Sequence, residues 1–315
     1  MQKKHSIAPD LTVQIAPRNS IGLLLKNPVM TASGTYGYGV EYKDSVDIEA
    51  LGAIICKGTT LEPWNGNAQP RLIETTHGLL NAVGLENIGI KSLISDVLPQ
   101  WRTLHVPFII NIAGHSIDEY VQLAEIIDGL DGVHAVELNI SCPNVACGGM
   151  EFGVDPDMAA KVTTAVRSKL KMPMLVKLSP NVTDIVAIAT AVAEAGADAL
   201  TLINTVSGMA IDIKKRRPSL GNIFGGLSGA AIKPIALASV YRVAQRIDVP
   251  VIGCGGIFCA EDAIEFFMAG ASAVQVGTAS FCDPNAPIKI VNGIAQYLQN
   301  NAIQNIRDLI GAARI

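Results

Sequence analysis

The side chains in this sequence that could do chemistry gather just beyond short apolar runs. Ser33-Gly34, Lys57-Gly58, Asn111, the string Asn139-Ile140-Ser141-Cys142-Pro143-Asn144, Lys177, Asn204-Thr205, Gly255-Gly256 and Gly277-Thr278 each close or follow such a run. A single lysine or asparagine so placed is ordinarily a solvated strand end. Two lysines and several amides converging on one rim instead suit a planar heterocycle that carries a carboxylate. The paired glycines have no side chain to block a close approach, so their backbone N–H groups can face an anion. Either pair alone reads as a tight turn; both together favour a phosphate. With no Walker lysine motif in the chain, that phosphate is expected on a bound cofactor or a sugar phosphate rather than on ATP.

Lys177, in the string VKLSPN, is costly to bury without an electronegative partner, for which a flavin edge or a phosphorylated carbonyl substrate would serve. A Schiff-base role is the competing chemistry. Cys142 stands apart from the other five cysteines, Cys56, Cys147, Cys254, Cys259 and Cys282. It lies between two asparagines and before a proline, and the following NVACGGMEFG holds three glycines that suit a lid. A thiol there could be an acid/base or a nucleophile. The five histidines, His5, His77, His105, His115 and His134, fall at the terminus, in loops or at strand starts, so a Cys-His hydrolase dyad has weak support. The spacings Cys142-x4-Cys147 and Cys254-x4-Cys259 lack the pairs of a zinc site, so no metal is expected and the remaining thiols read as small buried hydrophobes.

The elements that must position these groups are written as an alternation. Apolar runs rich in Val and Ile occur at Asn27–Ser33, Gly52–Lys57, Val106–Ile112, Ala135–Ser141, Met172–Leu178, Ala199–Thr205, Val249–Gly253 and Ala273–Gly277. They are continuous rather than alternating, as strands covered on both faces of a parallel sheet are. Between them the spacing predicts helices over Ile117–Leu130, Pro156–Leu170, Thr183–Ala195, Lys233–Ile247 and Ala260–Ala269, with Ser116 and Thr183 as N-caps and Gly196 and Gly270 just past two C-termini. Eight βα units without a G-x-G-x-x-G after the first strand predict a single α/β domain over 1–315, a (β/α)8 TIM barrel, rather than a doubly wound sheet. The gap from Thr59 to His105 exceeds one helix and predicts an inserted hairpin or loop over the C-terminal mouth. Leu11 to Leu25 reads as a strand pair at the barrel bottom.

Composition narrows the function. A hydrophobic fraction of 49% with 17% charged residues excludes a disordered chain. Twenty-four basic against 28 acidic residues, net −4, with no basic run longer than Lys214-Lys215-Arg216-Arg217, argue against a nucleic-acid partner. No apolar run approaches the roughly 20 residues of a membrane span, and Met1–Ser6 is not followed by a signal-peptide core. A cytoplasmic location with reduced thiols is expected.

Taken with their order, the strings KGTTLEPWNGNAQPR (Lys57–Arg71), NAVGLEN (Asn81–Asn87), ELNISCPN (Glu137–Asn144), LVKLSPN, INTVSGM, GGLSG, GCGGI and VGTAS resemble the dihydroorotate dehydrogenase family in its class 1 form, over about Asn27 to Ser280. The resemblance implies an FMN enzyme of pyrimidine biosynthesis that oxidises (S)-dihydroorotate to orotate. Carried over position by position, it implies that Ser33, Lys57, Gly58, Asn111, Asn139, Lys177, Ile203, Gly229, Gly255, Gly256, Gly277 and Thr278 contact FMN. It places Lys57, the loop Asn81, Ala82, Val83, Gly84 and Leu85, and Asn139, Asn204 and Thr205 on the substrate. Cys142 would be the base that takes the C5 proton while the C6 hydride goes to flavin N5. The membrane-attached class has an N-terminal helical extension and a serine base, and neither feature is visible here. GTTLEPWNGN…PR, NAVGLEN and CGGMEFG look more like the NAD-linked type B catalytic subunit than the fumarate-linked type A homodimer. Type B implies a partner subunit with FAD and a two-iron iron-sulfur cluster, and a homodimer of catalytic subunits within a heterotetramer. Trp64, where type B usually has Arg, and GLENIGI, in place of a Gln-Asn-Pro-Gly pattern, depart from the family and leave the substrate-side loop open. A dihydropyrimidine dehydrogenase-like flavoenzyme would normally bring ferredoxin-like cysteine clusters. A Schiff-base aldolase barrel using Lys177 and a non-catalytic scaffold are the readings from other classes.

Overall fold

The structure, a computed structural model, describes residues 8–140 and 152–315. Eight strands form its centre: β1 (Val29–Thr31), β2 (Ile54–Ile55), β3 (Phe108–Ile112), β4 (Ala135–Asn139), β5 (Met174–Leu178), β6 (Ala199–Leu202), β7 (Val251–Cys254) and β8 (Ala273–Val276). They pair in parallel in the order β1-β8-β7-β6-β5-β4-β3-β2. Bonds from Gly52 N to Val29 O (2.9 Å) and Thr31 N to Ala53 O (3.3 Å) join the two ends, which closes the barrel as the alternation predicts. Every residue of these strands is buried, so their continuous apolar runs face side chains within and helices outside.

Proline decides where four strands begin. The expected starts at Asn27, Val106, Met172 and Val249 fall two residues early, because Pro28, Pro107, Pro173 and Pro250 have no N–H to give to a ladder. Their carbonyls still accept from the adjacent strand: Val274 N donates to Pro28 O (2.8 Å), Ile54 N to Pro107 O (2.9 Å), Val136 N to Pro173 O (2.9 Å) and Leu200 N to Pro250 O (3.0 Å).

The outer helices run Ile117–Ile127, Pro156–Arg167, Ile185–Glu194, Lys233–Ala244, Ala260–Ala269 and Ala286–Asn300. Ser116 caps the first through its hydroxyl to Glu119 N (3.2 Å). Asp184, not Thr183, caps the third by accepting from Val186 N (2.9 Å); the carboxylate is the stronger acceptor and sits one residue nearer the first turn. Gly270 takes a φ of 120° at a helix end that a Cβ would strain. The last helix, absent from the pattern reading, buries Ile290, Ile294 and Leu298 at four-residue spacing, each worth roughly 1.5–3 kcal/mol of apolar burial.

At the barrel bottom Val13–Gln14 pairs antiparallel with Leu24–Leu25, and Asn19 between them donates to Lys171 O and Asp198 Oδ2, both at 3.1 Å. The inserted segment over the mouth carries the expected hairpin, Leu72–Thr75 with Gly78–Asn81. That hairpin is half of a four-stranded antiparallel sheet whose other strands, Val206–Met209 and Phe224–Ser228, follow β6. No strand was expected in this later segment, where Gly208, Gly225 and Gly226 mask the β signal.

Candidate active site

At the floor of the mouth, side chains from five barrel strands meet around one carboxylate. Glu137 of β4, fully buried, accepts at Oε1 from Asn111 Nδ2 (2.7 Å) and at Oε2 from Thr201 Oγ1 (2.9 Å) and Gln275 Nε2 (2.5 Å). Lys177 Nζ lies 3.8 Å from Glu137 Oε1 and donates to Gln275 Oε1 at 3.4 Å. Burial opposes the charge on Lys177, but the Glu137 carboxylate outweighs it and holds the ammonium above the ordinary lysine range, with the Cys254 side chain adding in the same sense. Burial pushes the Cys254 thiol up, and Cys56 to about 12, so neither is a ready thiolate. With its amide nitrogen committed to Glu137, Asn111 leaves its buried Oδ1 without a partner. That oxygen lies beside Gly58, where an added Cβ would stand 3.1 Å from it.

Above Lys177 a compact cavity of about 70 Å³ is walled by the turns that end β7 and β8. Gly229, Gly255, Gly256, Gly277 and Thr278 line it together with Ile203. Gly256 has φ 75°, and a Cβ there would come within 2.7 Å of Lys233 N, so only glycine fits. Thr278 Oγ1 donates to Ser228 Oγ at 2.9 Å. Glycine-rich turns of this kind can present backbone N–H groups to an anion.

A larger cavity of about 430 Å³ adjoins it, sharing Ser33, Asn204, Thr205 and Ser228. Lys57, Gly58 and Asn139 line its barrel side, and Asn81, Val83, Gly84 and Leu85 its roof. Lys57 forms no ion pair among the described residues, so its ammonium is available to an anionic ligand. Asn81 is anchored by Nδ2 to Gly226 O (3.1 Å), which ties the roof loop to the later strand. Ala82 instead packs with Leu80 and Leu220 in a small separate core, and its carbonyl accepts from Asn67 Nδ2 (3.0 Å). Arg71 clamps the roof by pairing with Glu86 and donating to Asn67 O and Asn65 O.

The sequence departures now have places. Trp64 pairs its backbone with Asn87 in both directions (3.0 and 2.9 Å), and its ring packs on His115 at 5.0 Å. Asn87 accepts from Gly89 N (2.8 Å) and donates to Leu85 O (2.7 Å), which holds GLENIGI in one conformation. Cys142 lies outside the described residues, as do Ser141, Pro143 and Asn144.

Every other residue expected at the site therefore lines one of the two cavities, apart from Asn111 beneath Gly58 and Ala82 behind the roof loop. Glu137, Thr201, Gln275 and Arg71 were not expected as site residues, and Glu86 only as part of the GLENIGI departure. A signal existed for the first three: each is a polar residue inside an otherwise apolar barrel run, AVELN, ALTL or AVQV, where burial requires a partner. Arg71 and Glu86 carry no such mark, because charged residues in loops are ordinary.

The model of the family described as dihydroorotate dehydrogenase matches residues 16–298. The chain is 55% identical over 98% of its length, and 99% of the relative's, to the dihydroorotate dehydrogenase B (NAD(+)) catalytic subunit of Geotalea daltonii. It is 54% identical, with the same coverage, to the protein of that name from Geobacter sulfurreducens. Among solved structures, a DHODH from Eimeria tenella in complex with ferulenol superposes with a TM-score of 0.78, covering 99% of this chain and 90% of that one at 22% identity. At that identity the likeness concerns the fold alone.

Proposed function

From the premise that this chain belongs to the dihydroorotate dehydrogenase family, we propose that it oxidises (S)-dihydroorotate to orotate in pyrimidine biosynthesis, as the FMN-bearing catalytic subunit of an NAD-linked enzyme. The observation that carries this reading is the pairing of a glycine-walled cavity with an adjoining one lined by Lys57, which has no ion pair among the described residues. FMN needs a phosphate site, a polar floor for its ring edge and a neighbouring space for substrate. Gly229, Gly255, Gly256, Gly277 and Thr278 suit the phosphate, and Lys177 and Asn139 suit the ring, with the unpartnered Asn111 Oδ1 lying beneath Gly58. When bound, FMN supplies the acceptor for the hydride that leaves substrate C6.

The protein's own groups do the rest. Lys57 holds the substrate carboxylate, while Asn81, Asn139, Asn204 and Thr205 orient the ring amides. The roof from Asn81 to Leu85 excludes water and strengthens these contacts. Cys142 is assigned as the base for the C5 proton, so hydride and proton leave from adjacent carbons to different acceptors. A Schiff-base mechanism requires a neutral amine, and the ion pair to Glu137 favours the opposite state of Lys177.

The relatives are named as catalytic subunits, which supports a second subunit carrying FAD and a two-iron cluster as the route to NAD, with two catalytic chains in a heterotetramer. Met209, Ile211, Ile213 and Phe224, all exposed around the roof sheet, give such assemblies apolar surface to cover. No helix among the described residues is long and apolar enough to cross a membrane, and we place the enzyme in the cytoplasm.

The purified chain should be yellow and should turn over dihydroorotate with an artificial acceptor, and with NAD only when its partner is co-expressed. Fumarate-linked turnover by the chain alone would overturn the NAD assignment. Turnover of dihydrouracil but not dihydroorotate would overturn the substrate.

A further inference from the structure

We infer that Glu137 is a positioning residue for the FMN site: its carboxylate, 3.8 Å from Nζ, holds the Lys177 ammonium facing the cavity. This inference rests on the FMN reading above for the identity of the ligand, but not for the geometry. Glu137 itself lines neither cavity. Three hydrogen bonds and the lysine use both of its oxygens, and the donors come from β3, β5, β6 and β8. A carboxylate at the centre of a barrel needs such satisfaction to exist at all.

The arrangement has a direction. Gln275 gives its Nε2 to Glu137 and turns its Oε1 toward Lys177 (3.4 Å), so the amide relays the carboxylate's orientation to the lysine. Thr201 Oγ1 accepts a second bond from Gln275 Nε2 (3.2 Å), which fixes that orientation. Asn111 has one sensible amide orientation, because only its nitrogen can serve Glu137. Among the described residues, the other ionisable groups that act on the pair are Cys56 and Cys254, both buried thiols pushed upward. Among the described residues, Glu137 is therefore the carboxylate that opposes the desolvation of Lys177.

Glu137→Gln keeps the volume and removes the charge. In lysine-labelled chain followed by NMR without flavin, the Lys177 signal should keep its ammonium form to higher pH in the parent than in E137Q. Glu137→Asp should restore the parent behaviour. FMN affinity of E137Q at pH 8, read by quenching of flavin fluorescence, should fall at least tenfold. In a Lys177→Met background the same E137Q change should cost nothing further, because Glu137 acts through the lysine; this pair of variants also serves if E137Q alone folds poorly, since it removes both buried charges. A Lys177 signal that titrates in E137Q as in the parent, or an equal loss of FMN affinity in both backgrounds, would overturn the inference. Failure of the parent chain to bind FMN would instead overturn the cofactor reading, while the NMR result would still decide the role of Glu137.

Discussion

Glu137 and Lys177 at the floor of the site are 0% and 5% exposed at the side chain, whereas Arg71 and Glu86 at its roof meet with 20% and 50%. Both are oppositely charged pairs, one beside the smaller cavity through Lys177 and one beside the larger through Glu86. Their energetics differ because water has been removed from one and not the other. At the floor, each charge depends on its partner, so loss of either leaves an uncompensated ion. At the roof, solvent screens both members and replaces a lost partner at little cost. The floor is therefore expected to be a preorganised and unforgiving surface, and the roof a replaceable closure.

The largest test of that contrast is Lys177→Met, which strands Glu137 in the barrel. We expect a loss of about 3–5 kcal/mol in unfolding free energy, measured by urea denaturation; a loss below about 1 kcal/mol would place the floor in the same class as a surface pair. Cys142→Ser tests whether chemistry can be separated from the floor. Turnover of dihydroorotate at neutral pH should drop on the order of a hundredfold or more, as for removal of a general base, while FMN and orotate still bind; near-parental turnover removes Cys142 as the base. Gly256→Ala puts a Cβ 2.7 Å from a backbone nitrogen at φ 75°. The strain of roughly 1–3 kcal/mol should weaken FMN binding about tenfold, seen in flavin titration, and unchanged affinity would detach the β7 turn from the cradle. Arg71→Ala is the mildest. It should cost about 1 kcal/mol or less and raise KM for dihydroorotate a few-fold with FMN affinity unchanged. A loss of FMN from this variant would show that roof and floor are one cooperative unit.

The barrel was legible because its signal is repeated and local. Eight continuous apolar runs separated by helical spacing leave few alternatives, and Gly196, Gly270 and Ser116 mark helix ends at the positions that the backbone uses. Boundaries were less legible where proline truncates a ladder without altering the hydrophobic pattern. The cavity-lining residues were largely legible from the resemblance and from their places at strand ends. The roof sheet was only half visible, since its four strands come from two insertions separated by four of the eight barrel strands. Pairing such distant segments depends on where the barrel delivers them, and glycines at 208, 225 and 226 weaken their own propensity.

By itself, the sequence determined the period of the fold, the family and the donor types available at the mouth. These follow from side-chain identity and order along the chain, which need no third dimension. Only the tertiary structure decided which of the two lysines has an ion pair among the described residues and which has none. Lys57 and Lys177 both close apolar runs, but Lys177 comes to lie 3.8 Å from a carboxylate one strand away, while Lys57 opens onto the larger cavity. A charge acquires its energetic meaning from the partners and the water around it, and in a closed barrel those are set by strands far apart in sequence.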